Sequence, residues 1–203
     1  MSERLGIFGG TFDPPHIAHL ALAAEALDQL ELERVLWVLT PDPPHKPDRD
    51  ISPLAYRLEM LRAALQDTPA FELSRVDIDR NPPHYALDTM HLLASQHPGA
   101  ELVYLMGEDS LRDLLKWHQP GDFIAACHAL GIMRRPGAQV ALTRLESQLP
   151  GLTARMRWID APRLEISSSA IRQRVAQGRP FRYFLPPAVY EVILKYRLYQ
   201  GIS

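Results

Sequence analysis

The chain has 203 residues, a single cysteine and a nearly balanced charge, with 22 Lys and Arg against 24 Asp and Glu. A chain of this length buries one good hydrophobic core, so we expect one domain with a small appendage. The lack of a basic excess argues against nucleic acid as the main partner. Cys127 has apolar neighbours, which indicates a core residue, and on its own it excludes an intrachain disulfide.

The first residues lead directly into an apolar run, which leaves no room for a secretory leader. No apolar run approaches the ~18 residues that a membrane span requires. We therefore expect a cytoplasmic protein that does not bind membranes. The sequence leaves the oligomeric state open, a homo-oligomer included.

Apolar runs and amphipathic segments alternate along the chain, which is typical of βαβ units. The predicted strands are Leu5–Phe8, Arg34–Leu39, Phe71–Ile78, Leu102–Met106, His128–Met133 and Met156–Ile159. The predicted helices are 17–29, 54–66, 85–96, 109–117 and 139–149. This alternation predicts an α/β fold, a Rossmann-like doubly wound parallel sheet, whose ligands bind at the carboxyl ends of the strands.

The first predicted strand runs into Gly9-Gly-Thr-Phe-Asp-Pro-Pro-His-Ile-Ala-His19. Two glycines suggest a turn that lets backbone approach a ligand, and Asp13-Pro14 resembles an N-cap followed by the first helical residue. The N-terminus of a helix favours phosphate, and His16 and His19 would face the same opening. A zinc site is disfavoured, because no third ligand lies nearby and no HExxH pattern is present.

The segment from Thr40 to Asp50 holds several prolines and follows the second predicted strand, so we expect a loop. It carries His45, Lys46 and Arg49, which could lie over an anionic ligand. A solvated connection is the alternative.

A second phosphate signal is Ile166-Ser-Ser-Ser-Ala-Ile-Arg172. Serines ahead of an apolar residue are typical of a capped helix N-terminus, and capping alone could explain them. The functional interpretation adds a phosphate cradle of hydroxyls and N–H groups, with Arg172 one turn into the helix.

Together these two motifs resemble the nucleotidyltransferases that transfer a nucleoside monophosphate from ATP or CTP. Further strings are similar to the bacterial nicotinate-nucleotide adenylyltransferases, and the resemblance covers nearly the whole chain. Those strings are Pro43-Pro-His-Lys46, Pro83-His-Tyr85, Gly107-Glu-Asp-Ser110, Trp117-His118, Arg134-Arg-Pro-Gly137 and Leu185-Pro-Pro-Ala-Val189.

The resemblance implies that AMP passes from ATP to nicotinate mononucleotide, which gives deamido-NAD and pyrophosphate. It implies catalytic roles for His16, His19, Lys46 and Arg172. It implies ATP contacts from Gly9, Gly10, Thr11, Phe12, Asp109, Ser167, Ser169 and Arg172. It implies pyridine-nucleotide contacts from Tyr85, Ala86, Trp117, His118 and Arg134. For two of these residues the local pattern leaves an alternative: Trp117 could be core packing and Asp109 a helix N-cap.

The residues fit that chemistry. The attacking group is the substrate's own ionised phosphate, so positioning and charge neutralisation are required and a general base is not. We expect Mg²⁺ to arrive with ATP, bound through the phosphates, with no metal site built by protein ligands.

One departure from the family concerns Ala86, where many relatives carry a threonine whose hydroxyl helps to hold the pyridine carboxylate. Nicotinamide mononucleotide therefore remains an alternative acceptor. Phosphopantetheine adenylyltransferase, a non-enzymatic nucleotide-binding module and a metal-binding protein are weaker alternatives. We expect a single nucleotidyltransferase domain over 1–203, with a core of 1–160 and a C-terminal helical part of 161–203.

Overall fold

In a computed structural model, which describes residues 2–42, 51–134, 140–162 and 164–201, the strands form one six-stranded sheet. Every pairing in the sheet is parallel, and the strand order is β3-β2-β1-β4-β5-β6. The strands are β1 Arg4–Gly10, β2 Arg34–Leu39, β3 Phe71–Ser74, β4 Glu101–Gly107, β5 Ala129–Met133 and β6 Met156–Ile159. The Rossmann-like prediction is confirmed.

Helices cover both faces of the sheet. They are α1 Ile17–Gln29, α2 Leu54–Leu65, α3 Ala86–Gln96, α4 Glu108–Arg112, α5 Pro120–Ala126, α6 Leu142–Gln148, α7 Leu152–Arg155, α8 Ser168–Ala176 and α9 Pro187–Lys195. Because successive residues of a strand point to opposite faces, Ile7 packs in one core cluster and Phe8 in the other. Burial on both faces explains why these strands are apolar throughout rather than alternating.

The predicted C-terminal helical extension packs on α2. Met60 of α2, Ile171 of α8 and Val189 and Ile193 of α9 belong to one buried cluster, and each is at most 1% exposed. Through this third cluster, α8, which carries the second motif, is held near the carboxyl end of β1.

The structure corrects the helix start predicted at Asp13-Pro14. Helix α1 begins at Ile17 with His16 as its N-cap. The Asp13 carboxylate cannot cap this helix because it accepts hydrogen bonds from Ser52 and Tyr199.

Three predicted elements are clearly shorter than the sequence suggests. The helix predicted over 139–149 is observed as α6, over Leu142–Gln148. Strand β3 ends at Ser74, because the chain turns at Arg75 with a hydrogen bond from the Asp79 N–H to the Arg75 carbonyl. The predicted helix 109–117 divides into α4 and a 3₁₀ turn over Leu114–Lys116. A three-residue repeat places Leu114 in the core and directs Trp117 to the same side.

Helix α5 was missed by the sequence analysis. Pro120 is its first residue and Asp122 lies in its first turn. Both are N-terminal signals that the sequence contained.

Candidate active site

The carboxyl ends of β1 and β4 border a cavity of about 420 Å³. It lies where the strand order reverses, between the first strand and the fourth, as expected for ligand sites in such sheets. The predicted site residues that line it are Gly9, Gly10, Thr11, Phe12, His16, His19, Asp109, Trp117, Ser167, Ser169 and Arg172. We call residues 9–12, His16, His19, residues 167–169 and Arg172 the nucleotide wall, after the ATP or catalytic roles predicted for all of them except Ser168.

The glycines at the start of the nucleotide wall end a strand rather than form a turn, because β1 continues to Gly10. A Cβ atom on Gly9 would lie 2.8 Å from the Tyr104 hydroxyl oxygen, and one on Gly10 would lie 3.0 Å from the Phe12 ring. Phe12 adopts a φ of 45°, a backbone conformation that residues other than glycine rarely take. Close packing of the backbone against these two rings therefore shapes this side of the cavity.

The two histidines form one stacked unit at the start of α1. Their ring centroids are 3.6 Å apart with planes inclined by 18°. The His16 backbone N–H donates to Nδ1 of His19 over 3.2 Å. When the His19 ring is neutral, its proton therefore resides on Nε2, which can donate to an anionic oxygen.

The C-terminal motif caps a helix and also lines the cavity. Ser167 is the N-cap of α8, and its hydroxyl oxygen accepts from the Ala170 N–H over 3.2 Å. The Ser169 hydroxyl lies 3.2 Å from that of Ser167. Capping and a cavity-facing position are thus compatible in the same residue.

Direct hydrogen bonds join the two motifs. Arg172 donates from Nη1 to the Asp13 carbonyl over 2.7 Å, and Ser168 donates from its hydroxyl to the Pro14 carbonyl over 2.9 Å. Residues about 155 positions apart in sequence therefore form one continuous surface.

The electrostatics of the cavity favour an anion. Helices α1 and α8 both begin at the nucleotide wall, which also contains Arg172. Helix N-termini carry partial positive charge and N–H groups that bind phosphate. Asp109, which is the second residue of α4 and not its N-cap, adds one carboxylate to the lining.

The residues predicted to hold the pyridine nucleotide, which we call the acceptor group, are Tyr85, Ala86, Trp117, His118 and Arg134. Trp117 lines the cavity and packs against Phe123, with ring centroids 5.1 Å apart. Trp117 therefore packs against the core and also lines the cavity.

The other members of the acceptor group are not among the described residues that line the cavity. Tyr85 and His118 stack on each other with centroids 4.0 Å apart, and Ala86 is the first residue of α3. The Arg134 guanidinium lies 4.6 Å from the centroid of Trp158, at the far side of β5.

Some predicted residues lie outside the described part of the chain. They are residues 43–50, which include His45, Lys46 and Arg49, and residues 135–137 after Arg134.

The sequence analysis missed several residues at or behind the cavity. Tyr104 and Ser110 line it, and burial raises the pKa of the Tyr104 hydroxyl, which stays protonated. A tyrosine near the carboxyl end of an otherwise apolar strand was the available signal for Tyr104. Arg57 and Tyr199, which lie behind the nucleotide wall, gave no comparable signal.

Comparison with known proteins places this chain in a family. The model of the cytidylyltransferase-like family matches residues 7–174, so the chain belongs to that family of nucleotidyltransferases. A Thermomicrobium roseum protein named "Probable nicotinate-nucleotide adenylyltransferase" is 46% identical over 201 residues, which cover 99% of this chain and 94% of that protein. A Roseiflexus castenholzii protein of the same name is 45% identical over 99% of its own length. Within the wider family, the chain belongs to the nicotinate-nucleotide adenylyltransferases.

Solved structures share the fold. The nicotinic acid mononucleotide adenylyltransferase of Plasmodium falciparum, complexed with NaAD, superposes with a TM-score of 0.78 at 19% identity. The match covers 97% of each chain.

Proposed function

We propose that this protein transfers the AMP moiety of ATP to nicotinate mononucleotide, which yields deamido-NAD and pyrophosphate. The observation that carries the proposal is the junction of the two motifs. Arg172 and Ser168 donate to the backbone of Asp13 and Pro14, so both motifs line one cavity at the switch point of the sheet.

The reaction needs little covalent chemistry from the protein. The acceptor phosphate attacks the α-phosphorus of ATP, the new P–O bond forms, and the bond to the departing pyrophosphate breaks in line with it. The acceptor phosphate is already ionised, so no side chain has to remove a proton. Catalysis then depends on alignment and on the stabilisation of charge in the transition state.

The nucleotide wall has groups suited to that stabilisation. Nε2 of His19 can donate to a phosphoryl oxygen, and the guanidinium of Arg172 can pair with a phosphate of the leaving group. The stacking of His16 on His19 and the bond to Nδ1 fix the plane of the His19 ring. Lys46, by similarity to the family, would add a further cation from the proline-rich loop.

We propose that Mg²⁺ enters with ATP. The polar side chains that line the cavity include hydroxyls, imidazoles, the Arg172 guanidinium and the Asp109 carboxylate. Within the described ranges, no group of three or more His, Cys, Asp or Glu side chains is placed to hold a metal ion. This donor set fits an ion bound mainly by phosphate and water, which would neutralise phosphate charge when present.

The acceptor would bind on the Trp117 side of the cavity. A flat indole offers a stacking surface for a pyridine ring, and Tyr85 with His118 forms a second ring surface beyond it. Ala86 provides a backbone N–H at the first residue of α3 but no hydroxyl. For that reason nicotinamide mononucleotide is the second candidate acceptor.

The test is pyrophosphate release from ATP and Mg²⁺ with nicotinate mononucleotide, nicotinamide mononucleotide or phosphopantetheine as acceptor. We expect the nicotinate form to react fastest. Equal rates with the amide, or a faster amide, would replace the proposed acceptor. Chelation of Mg²⁺ with EDTA is expected to stop the reaction, and addition of excess Mg²⁺ to restore it.

None of the helices in the described ranges is long and apolar enough to cross a bilayer. We propose the cytoplasm as the site of the reaction, as expected for an enzyme of NAD biosynthesis.

A further inference from the structure

A buried arginine holds the back of the nucleotide wall. Arg57 of α2 is 2% exposed, and its guanidinium donates to four backbone carbonyls. The acceptors are the carbonyls of Thr11 at 3.2 Å, Thr40 at 2.8 Å, Pro41 at 2.7 Å and Ser52 at 2.8 Å. One side chain thus joins the end of β1, the end of β2 and the residues before α2.

An arginine is the side chain suited to this task. Its planar fork presents five N–H donors in fixed directions, whereas a lysine presents one point charge. Burial lowers the pKa of Arg57 from its ordinary value, and the negative charge of Asp13 opposes that effect. Because a buried cation is costly unless its donors are satisfied, the guanidinium favours the one backbone arrangement that satisfies them.

A second contact holds the next residues of the same segment. Tyr199 follows α9, and its hydroxyl donates to Oδ1 of Asp13 over 2.7 Å. The Ser52 N–H donates to Oδ2 of the same carboxylate over 3.1 Å. Asp13 is 2% and Tyr199 is 5% exposed. Burial, followed by the charge of Asp13, raises the pKa of the Tyr199 hydroxyl, which therefore remains a hydrogen-bond donor.

Asp13 passes this restraint to the cavity. Its carbonyl accepts from Arg172, and its neighbour Thr11 lines the cavity, whereas neither Arg57 nor Tyr199 is among the described lining residues. The two residues therefore can act on a ligand only through the backbone and side chains that they hold.

We propose that Arg57 and Tyr199 are positioning residues for ATP: they fix the Thr11–Asp13 backbone and, through it, the placement of the Arg172 guanidinium on the nucleotide wall. The proposal rests on the proposed adenylyl transfer. It assigns function to residues that touch neither substrate.

The first variant is Tyr199→Phe, which removes one hydroxyl and keeps the ring. We expect the KM for ATP to rise about tenfold. The buried Asp13 carboxylate loses a hydrogen-bond partner, so the backbone that positions Arg172 is held less firmly. The KM for nicotinate mononucleotide is expected to stay within about twofold of wild type. The matched control is Tyr183→Phe, since Tyr183 is 86% exposed and should leave both constants unchanged.

The second variant is Arg57→Lys, which keeps the charge and loses the fork. We again expect about a tenfold rise in the KM for ATP with little change for the acceptor. Its control is Arg62→Lys on the exposed side of the same helix. Thermal melting verifies that each variant is folded. If Arg57→Lys does not fold, the KM values of Tyr199→Phe alone test the proposal.

A purely structural role predicts a different result. It would lower the melting temperature and the active fraction, and so kcat, while both KM values remain at their wild-type levels. That pattern, or an equal rise of both KM values, would overturn the proposal.

A wild-type protein that releases no pyrophosphate with any acceptor would refute the proposed function instead. In that case calorimetric titration with ATP alone still tests the inference. Weaker ATP binding by Tyr199→Phe than by Tyr183→Phe would support it, and equal binding would overturn it.

Discussion

The nucleotide wall and the acceptor group are held in different ways. The nucleotide wall is fixed by hydrogen bonds from several directions, including Arg172 to the Asp13 carbonyl and the His16 N–H to His19. The side chains of the acceptor group make ring contacts, which are Trp117 on Phe123, Tyr85 on His118 and Arg134 over Trp158. Hydrogen bonds in this group reach the Tyr85 backbone, whose carbonyl accepts from Arg80 and Thr89.

This difference has a consequence for the energetics of catalysis. Hydrogen bonds are directional and place donors within a narrow range of positions, as the stabilisation of a transition state requires. Ring stacking supplies contact area with looser geometry, which suits the recognition of a flat substrate. We therefore expect loss of a side chain that stabilises charge in the nucleotide wall, such as His19, to lower kcat. Displacement of the backbone of the wall should raise the KM for ATP, and changes in the acceptor group should raise the KM for the acceptor.

The largest effect is expected for His19→Ala. Loss of a preorganised donor to the transferring phosphoryl group should lower kcat by ~10²-fold or more. Steady-state pyrophosphate release measures it, with His91→Ala as the control because His91 is exposed on α3. Turnover near that of wild type would remove His19 from the proposed chemistry.

A smaller effect is expected for Trp117→Leu. Loss of a stacking surface should raise the KM for nicotinate mononucleotide about tenfold and leave the KM for ATP nearly unchanged. Phe123→Leu is the control, since Phe123 contacts Trp117 but is fully buried. A similar rise in Phe123→Leu would mean that packing, rather than stacking on the substrate, is responsible.

The smallest effect is expected for Ala86→Thr. A hydroxyl at the first residue of α3 should increase the preference for the acid over the amide acceptor by roughly threefold to tenfold. Ala86→Val has a side chain of the same shape without the hydroxyl and should not change the ratio of kcat/KM values. An equal ratio in the two variants would contradict the expected role of the hydroxyl at this position.

Local signals made most of the fold and much of the nucleotide wall predictable. Apolar runs bounded by polar segments located the strands, and the predicted range 17–29 is that of α1, although the start suggested at Asp13-Pro14 is wrong. Ser167 was recognised as a cap because capping depends on residues a few positions away. These are features that neighbours in sequence determine.

The rest depends on contacts between distant segments. Arg57 has the sequence context of an ordinary helix-surface arginine, yet the carbonyls that surround it lie on three segments brought together by the sheet. Tyr199 likewise gave no sign of its partner. The division of helix 109–117 reflects the packing of Leu114 and Trp117, which local propensity does not encode.

The bond between Tyr199 and Asp13 spans 186 positions of the chain. During translation, β1 and the loop that follows it leave the ribosome 186 positions ahead of the hydroxyl that fixes Asp13. Nascent chains that stop short of Tyr199 can therefore form much of the sheet but cannot complete the loop at its end. The contacts of a segment made early thus depend on a segment made much later.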